Sequence, residues 1–301
     1  MNKIFKTKVI NLDRRNDRWE TFEKLAKEKF IIDYERYSAI DGQNLKINES
    51  INELFKNNKF NWRKGIMGAC LSHFNLWKSL IDDDVDYYLI LEDDVKLEDG
   101  FEENIKKIHN QISTNYYPFI FLGYTTDKEY IKEFYDHNLH EIIIYKLKFV
   151  KHIWGGIFAY FIHKNFAKSL VNDINNNGFI YPADTTILKY DDLYMVSPVC
   201  ASADYMTVKN NIDSDIQYDI LGIKDNYDFY SLKDSPGNDI KYCGKKSVFE
   251  LKKICDQDDT CVGFNTIGYI KYKIIDSNEL INLSENYSKT EGLYVKKKID
   301  N

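Results

Sequence analysis

Tyr87-Tyr88-Leu89-Ile90-Leu91-Glu92-Asp93-Asp94 is an apolar and aromatic run that ends abruptly in three carboxylates. Its length and its aromatic and aliphatic content read as a buried strand. In open α/β sheets ligands bind beyond the carboxyl ends of the strands, which is where these acidic side chains are delivered. Strand alternation puts Tyr88, Ile90, Glu92 and, if the extended geometry continues, Asp94 on one side, with Asp93 on the other. A turn beginning at Asp93 brings Asp93 and Asp94 together instead. Either pair offers the oxygen donors that Mn²⁺ or Mg²⁺ prefers, and Mg²⁺ is commonly held by one or two carboxylates plus substrate phosphates. Taken alone, an acidic run of this kind is more often a solvated turn, so the surrounding sequence has to decide.

Upstream, Lys8–Leu12 reads as a strand, Asp13–Arg18 as a polar turn, and Trp19, Phe22, Leu25 and Ala26 as the apolar stripe of a helix, with Asp17 as its N-cap and Glu20 completing a capping box. Ile31–Ser38 reads as a second strand, so the chain opens β-α-β, the start of a doubly wound sheet. Met67, Cys70, Leu71, Phe74, Trp77, Leu80 and Ile81 share one helical face and lead into the acidic strand. Downstream, Phe101–Ile112 reads as a helix and Tyr117–Leu122, Ile142–Val150 and Ile153–Ile162 as strands. Lys164–Asn175 reads as a helix stopped by Asn175-Asn176-Asn177-Gly178. Two short core pieces follow, Tyr181–Leu188 and Tyr194–Val199. The stretch Thr125–His140 suggests only an acceptor-side loop.

The chain has 301 residues, 44% hydrophobic and 29% charged, with a formal net charge of -6. That balance is globular, and the acidic surplus excludes a general nucleic-acid binder while leaving room for a local basic pocket around one diphosphate. A composition change at the polar segment Asp225–Asn238 divides the chain into a large α/β domain at 1–225, a linker at 226–237 and a small α+β cysteine-containing module at 238–301. Residues 1–8 lack an apolar signal core, no apolar run reaches about 18 residues, and Lys298–Asn301 is no ER-retention signal, so a cytoplasmic location is expected. Cys243, Cys255 and Cys261 cluster near the C-terminus. Three cysteines with no histidine after His163 leave a four-ligand zinc site incomplete, whereas a single disulfide with one odd thiol is allowed, though a reducing location disfavours it.

Val9-Ile10-Asn11-Leu12-Asp13-Arg14-Arg15-Asn16-Asp17-Arg18-Trp19, Lys64-Gly65-Ile66-Met67-Gly68-Ala69-Cys70-Leu71-Ser72-His73 and Leu89–Val95 resemble the successive signatures of glycosyltransferase family 25. Gly155–Ile162, Tyr181-Pro182-Ala183-Asp184 and Ser214-Asp215-Ile216 are similar to its weaker downstream blocks, in the same order. The family comprises lipooligosaccharide and procollagen galactosyltransferases. The resemblance implies a GT-A fold, a UDP-sugar donor, a glycan or protein acceptor, a divalent metal, usually manganese, and inversion at the anomeric carbon. The chemistry of the residues fits these implications: a metal held by two of Glu92, Asp93 and Asp94, together with a cation such as Arg14 or Arg18, stabilises the departing diphosphate, and Asn11 and Leu12, at a strand end, offer backbone amides to the uracil or ribose. Ser72 and His73 become donor contacts. An inverting transfer needs a general base on the acceptor side. Asp184 is the first choice, with Asp215 and Asp204 as alternatives. The Met67–Cys70 spelling departs from the family's usual Gly-Cys pairing, so Cys70 is given no role. The C-terminal cysteines and intervening helix resemble a reduced PAN/apple-type module, whose relatives bind proteins or carbohydrates. A non-catalytic descendant of the fold is the main rival, since fold does not guarantee function; a metal-dependent phosphoesterase would want further metal ligands.

Overall fold

The computed structural model describes residues 4–29, 33–126, 141–147, 153–155, 157–203, 215–216, 226–244, 246, 248–284 and 291–297. They form two compact units, one gathering Met1–Asp41, Ala69–Asn177 and Pro182–Met206, the other Gly42–Gly68, Gly178–Tyr181 and Thr207–Asn301.

The first unit is built on a seven-stranded mixed sheet. Its strands are β1 (Phe5–Asn11), β2 (Tyr34–Ser38), β3 (Tyr87–Glu92), β4 (Phe119–Phe121), β5 (Ile143–Lys146), β6 (Ala159–His163) and β7 (Tyr194–Ser197), in the spatial order β2-β1-β3-β6-β4-β7-β5. β1 lies parallel to both β2 and β3, while β6 runs antiparallel between β3 and β4. The opening run is therefore a central strand. All five residues from Tyr87 to Leu91 are buried, the continuous apolar signature of a strand covered on both faces. Burying each such side chain contributes roughly 1.5–3 kcal/mol before entropy is counted. On one face Val9, Leu89, Leu91 and Phe161 pack with Phe22 and Ala26 of helix α1 (Asn16–Glu28) and with Phe101, Ile108 and Ile112 of a later helix, Phe101–Ile112. That later helix has the bounds its sequence periodicity predicts.

Two expectations for this unit change. Asp17 does not cap α1: the preceding position is Arg15, which has no side-chain cap bond, and Asp17 lies inside the first turn with its carboxylate taken by Arg15 at 2.7 Å. A carboxylate there still favours the helix N-terminus. The expected strand Ile153–Ile162 is two strands, Ile153–Gly155 pairing with Thr125–Thr126, and β6 pairing with β3.

In the second unit, β8 (Tyr227–Ser231), β9 (Asp239–Tyr242), β10 (Gly263–Asn265), β11 (Tyr269–Lys271) and β12 (Gly292–Lys296) form an antiparallel sheet ordered β8-β12-β10-β11-β9. The helix Val248–Asp256 lays Val248, Leu251 and Cys255 against Phe264, Ile270 and Tyr294. Part of the stretch expected as a linker is thus the edge strand β8. Its polar composition hid one anchor: Tyr227 is 2% exposed and its hydroxyl donates to Asp256 at 2.5 Å. Cys255 and Cys261 form a disulfide, and Cys243 is free. No helix among the described residues is long and apolar enough to cross a membrane.

Candidate functional site

The parallel register of β1 and β3 pairs Ile10 with Glu92, so β1 runs one residue further, to Asn11. The chain turns immediately afterwards, at Asp93 and Asp94, and the Asp93 amide donates to the Ile10 carbonyl at 3.1 Å. This carries Asp93 next to Asn11. The Asn11 side chain, 1% exposed, donates through Nδ2 to Asp93 Oδ2 at 2.5 Å and to the Arg15 carbonyl at 3.1 Å, while its Oδ1 accepts from Arg36 Nε at 2.8 Å. Arg18 Nη1 bridges Asp93 Oδ1 at 3.3 Å and Asp94 Oδ2 at 2.9 Å. Arg14 pairs with Asp41 at 3.0 Å, and the Leu12 carbonyl accepts from the Arg15 amide at 2.8 Å, closing the turn.

After α1 come the helices α2 (Glu49–Phe55), α3 (Lys64–Asp82), α4 (Phe101–Ile112), α5 (Lys164–Asn177) and α6 (Ala183–Ile187). The other side of the strand end is held from α3. His73 on α3 is 1% exposed and sits between two partners, Tyr160 Oη at 2.9 Å from Nδ1 and Glu92 Oε1 at 3.3 Å from Nε2. Trp77, one turn along α3, donates Nε1–H to the same Tyr160 hydroxyl at 3.0 Å. The order of donors is fixed by what each partner can do. Trp77 can only donate and a Glu92 carboxylate can only accept, so Nε2–H donates to Glu92, while Nδ1 and the Tyr160 hydroxyl share the other bond. Ser72, also 1% exposed, accepts from the Ile40 amide at 2.8 Å.

Three carboxylates here are held above the usual range. Burial raises Asp93, against the lowering effect of Asn11 and Arg18. Asp94 is pushed up to about 6 by burial and by the Glu92 charge, against Arg18, although half of its side-chain surface still meets solvent. Asp184, in the first turn of α6, is raised by burial and then by Glu92, while bonds from the Thr185 amide at 2.6 Å and hydroxyl at 3.2 Å and the proximity of His73 oppose this. The structure therefore gathers Glu92, Asp93, Asp94, Asp184, Arg18, Asn11 and His73 in one unit. Asp215 belongs to the second unit, half buried beside Ile216, and Asp204 lies outside the described residues. Among the described residues no group of three or more His, Cys, Asp or Glu side chains is arranged to hold a metal ion.

Arg36, Tyr160 and Trp77 were not singled out from sequence as site residues. Trp77 stands four positions after His73 on the same helical face, a spacing that offers it as a partner. Arg36 and Tyr160 reach the site only through strand neighbours far apart in the chain.

The sequence profile described as "Glycosyltransferase family 25 (LPS biosynthesis protein)" matches residues 4–187. The chain belongs to glycosyltransferase family 25. The matched span of this family 25 member includes Asn11, His73, Glu92–Asp94 and Asp184, and leaves out Asp215. It is 32% identical over 308 residues to "Putative glycosyltransferase R655" of Acanthamoeba polyphaga mimivirus, covering 96% of this chain and 93% of that one. "Putative fucosyltransferase R654" of the same virus is 27% identical over 76% of this chain and 37% of its own length. Human "Procollagen galactosyltransferase 2" is 30% identical over 112 residues, 35% of this chain and 18% of that protein. The solved structure of A197 from STIV aligns over 67% of this chain at 14% identity with a TM-score of 0.36, too low to bear on the fold. The family 25 chain is accordingly a glycosyltransferase, an enzyme with a sugar donor and an acceptor.

Proposed function

We propose that this glycosyltransferase moves a hexose, galactose or glucose, from a UDP-sugar to a hydroxyl of a glycan or of a hydroxylysine-bearing protein, with inversion and with Mn²⁺ or Mg²⁺, in a first unit of GT-A type. The observation that carries the reading is the convergence of Glu92, Asp93, Asp94, Arg18 and Asp184 beyond the carboxyl end of β3. The donor set fits a hard cation completed by phosphate oxygens, since the mutual repulsion that raises Asp94 beside Glu92 is what a cation relieves. When bound, that cation neutralises charge building on the departing diphosphate.

The chain's own groups supply the rest. His73 holds one Glu92 oxygen through Nε2–H and so fixes which oxygen faces the donor. Arg18 keeps Asp93 and Asp94 at a set separation and brings positive charge to the side where negative charge develops. Asn11 and Ser72 act on the site through the backbone they pin, Asn11 at the Asp93 turn and Ser72 at Ile40. Asp184 accepts the acceptor hydroxyl proton, and a carboxylate raised by burial and by Glu92 is a stronger base once ionised. Asp215 remains the alternative base. The C-terminal helix-on-sheet, read as PAN/apple-like, recruits the acceptor.

The reading is tested by separating donor binding from transfer. Asp94→Ala is expected to abolish metal-dependent UDP binding in calorimetry, whereas Asp184→Asn is expected to bind UDP normally and transfer no sugar. Normal transfer by the Asp184 variant removes it as the base.

A further inference from the structure

The second unit contains a cavity of about 310 Å³ lined by Ile47, Asn52, Trp62, Lys64, Lys246 and Glu250. Its aromatic member is held by an uncommon backbone. Asn61 and Trp62 are consecutive non-glycine residues in the left-handed region, at φ 56° and 54°. Such conformations cost free energy, and for a bulky aromatic they persist only when the surroundings impose them. Asn58 does so here: its Oδ1 accepts from the amides of Trp62 at 2.9 Å and Phe60 at 3.2 Å, while its Nδ2 donates to the Phe55 carbonyl at 2.8 Å. The strain presents an indole to the cavity. Among the described residues no hydrogen bond, ion pair or ring contact engages the side chains of Trp62, Asn52 or Lys246. Lys64 and Glu250 face each other across 3.3 Å.

We infer that this cavity is a carbohydrate-binding site that takes one pyranose ring of an oligosaccharide against Trp62. Its volume lies at the lower end of the range for small-molecule sites, about 300–1,000 Å³. An indole face suits the C–H face of a pyranose. The lining residues include side chains that donate, Trp62, Asn52 and Lys246, and one that accepts, the Glu250 carboxylate. Hydroxyl groups both donate and accept and so satisfy all of them, whereas a phosphate brings acceptors alone and would face Glu250. The site is built from the second unit, whereas Glu92–Asp94 belong to the first, and it requires no catalysis, so it stands or falls independently of the transfer reaction.

The test is saturation-transfer NMR and calorimetry on the full chain with methyl β-galactopyranoside, methyl β-glucopyranoside, lactose and maltose, with UDP as competitor. At least one saccharide is expected to bind, with Trp62→Ala weakening it by about tenfold or more, equivalent to ~1.4 kcal/mol. Trp62→Phe is expected to keep binding, Asp94→Ala to leave it unchanged, and UDP not to compete. Should Trp62→Ala unfold, the double variant Asn52→Ala/Lys246→Ala, whose side chains have no partner among the described residues, is expected to show the same loss at an unchanged Tm. Absence of binding to every saccharide, binding that survives these variants, or binding lost with Asp94→Ala or to UDP overturns the inference.

Discussion

Replacing Tyr160 by Phe removes one oxygen and tests the reasoning about Glu92. The ring stays, and with it the stacking on Phe119 at 4.7 Å between centroids. What disappears is a fully buried hydroxyl that accepts from Trp77 at 3.0 Å and bonds His73 at 2.9 Å. Trp77 keeps a buried N–H without an acceptor, and His73 a buried Nδ1 without its partner. An orphaned buried polar group costs about 1–3 kcal/mol, so the pair costs about 2–6 kcal/mol, and about 3 kcal/mol is expected after local relaxation. At roughly 2–4 °C per kcal/mol for a domain of this size, Tm falls by about 6–12 °C. Urea unfolding with an unchanged m-value isolates the stability loss. Nitrogen-15 shifts of His73 report the second effect: the wild type carries a proton on Nε2, and the variant, with Nδ1 left without its partner, shows displaced ring-nitrogen shifts. A loss below about 0.5 kcal/mol, or a wild-type His73 with no proton on Nε2, refutes the order of donors.

Asp94 gives a pH signature. Its folded pKa of about 6 lies above its ordinary value near 3.8, so the folded state holds the extra proton between those limits and stability from this group falls as pH rises through them. Asp94→Asn is therefore expected to melt no lower than wild type at pH 7.5 while losing metal-dependent UDP binding; a Tm several degrees lower at that pH contradicts the assignment. With the proposed metal and UDP donor, the same titration is expected to weaken UDP binding as pH drops below about 6, measurable by calorimetry across pH. Cys255 and Cys261 close a short loop of sequence separation 6, for which chain entropy gives about 2 kcal/mol. The Cys255→Ser/Cys261→Ser double variant is expected to lose that much in urea unfolding of the second unit, and thiol titration of the unfolded, unreduced chain to count Cys70, Cys200 and Cys243 alone.

The elements most legible in the sequence are those whose period is enforced by burial. Tyr87–Leu91 is apolar at every position because a central strand is covered on both faces, and Phe101–Ile112 shows its stripe because one face meets the core. Lateral order is not written in any local pattern. That β6 runs antiparallel beside β3, bringing Tyr160 to His73, depends on pairing between residues far apart in the chain. Arg36 was missed for the same reason: it reads as one polar residue of a short strand until β2 is set beside β1 and its guanidinium meets Asn11. Asp17 looked like a cap because Asp-x-x-Glu fits the pattern, but a neighbouring Arg15 offers the carboxylate a stronger, charged partner. The strand β8 escaped because it exposes most of its side chains and is anchored through Tyr227. At the acidic end, alternation alone leaves open whether Asp94 joins Glu92 or Asp93, and the structure has the chain turning at Asp93, with Arg18 spanning both aspartates while the Glu92 charge still reaches Asp94.

The most direct measurement is UDP release from UDP-galactose and UDP-glucose, with and without Mn²⁺, by wild type and by Asp94→Asn, in the presence of a hydroxyl-bearing glycan or hydroxylysine peptide acceptor. The expected result is release from at least one donor that needs the metal, scales with acceptor and vanishes in the variant. Release that is indifferent to Mn²⁺ and to Asp94, or no release and no binding with either donor, contradicts a metal-dependent UDP-hexosyltransferase centred on the end of β3.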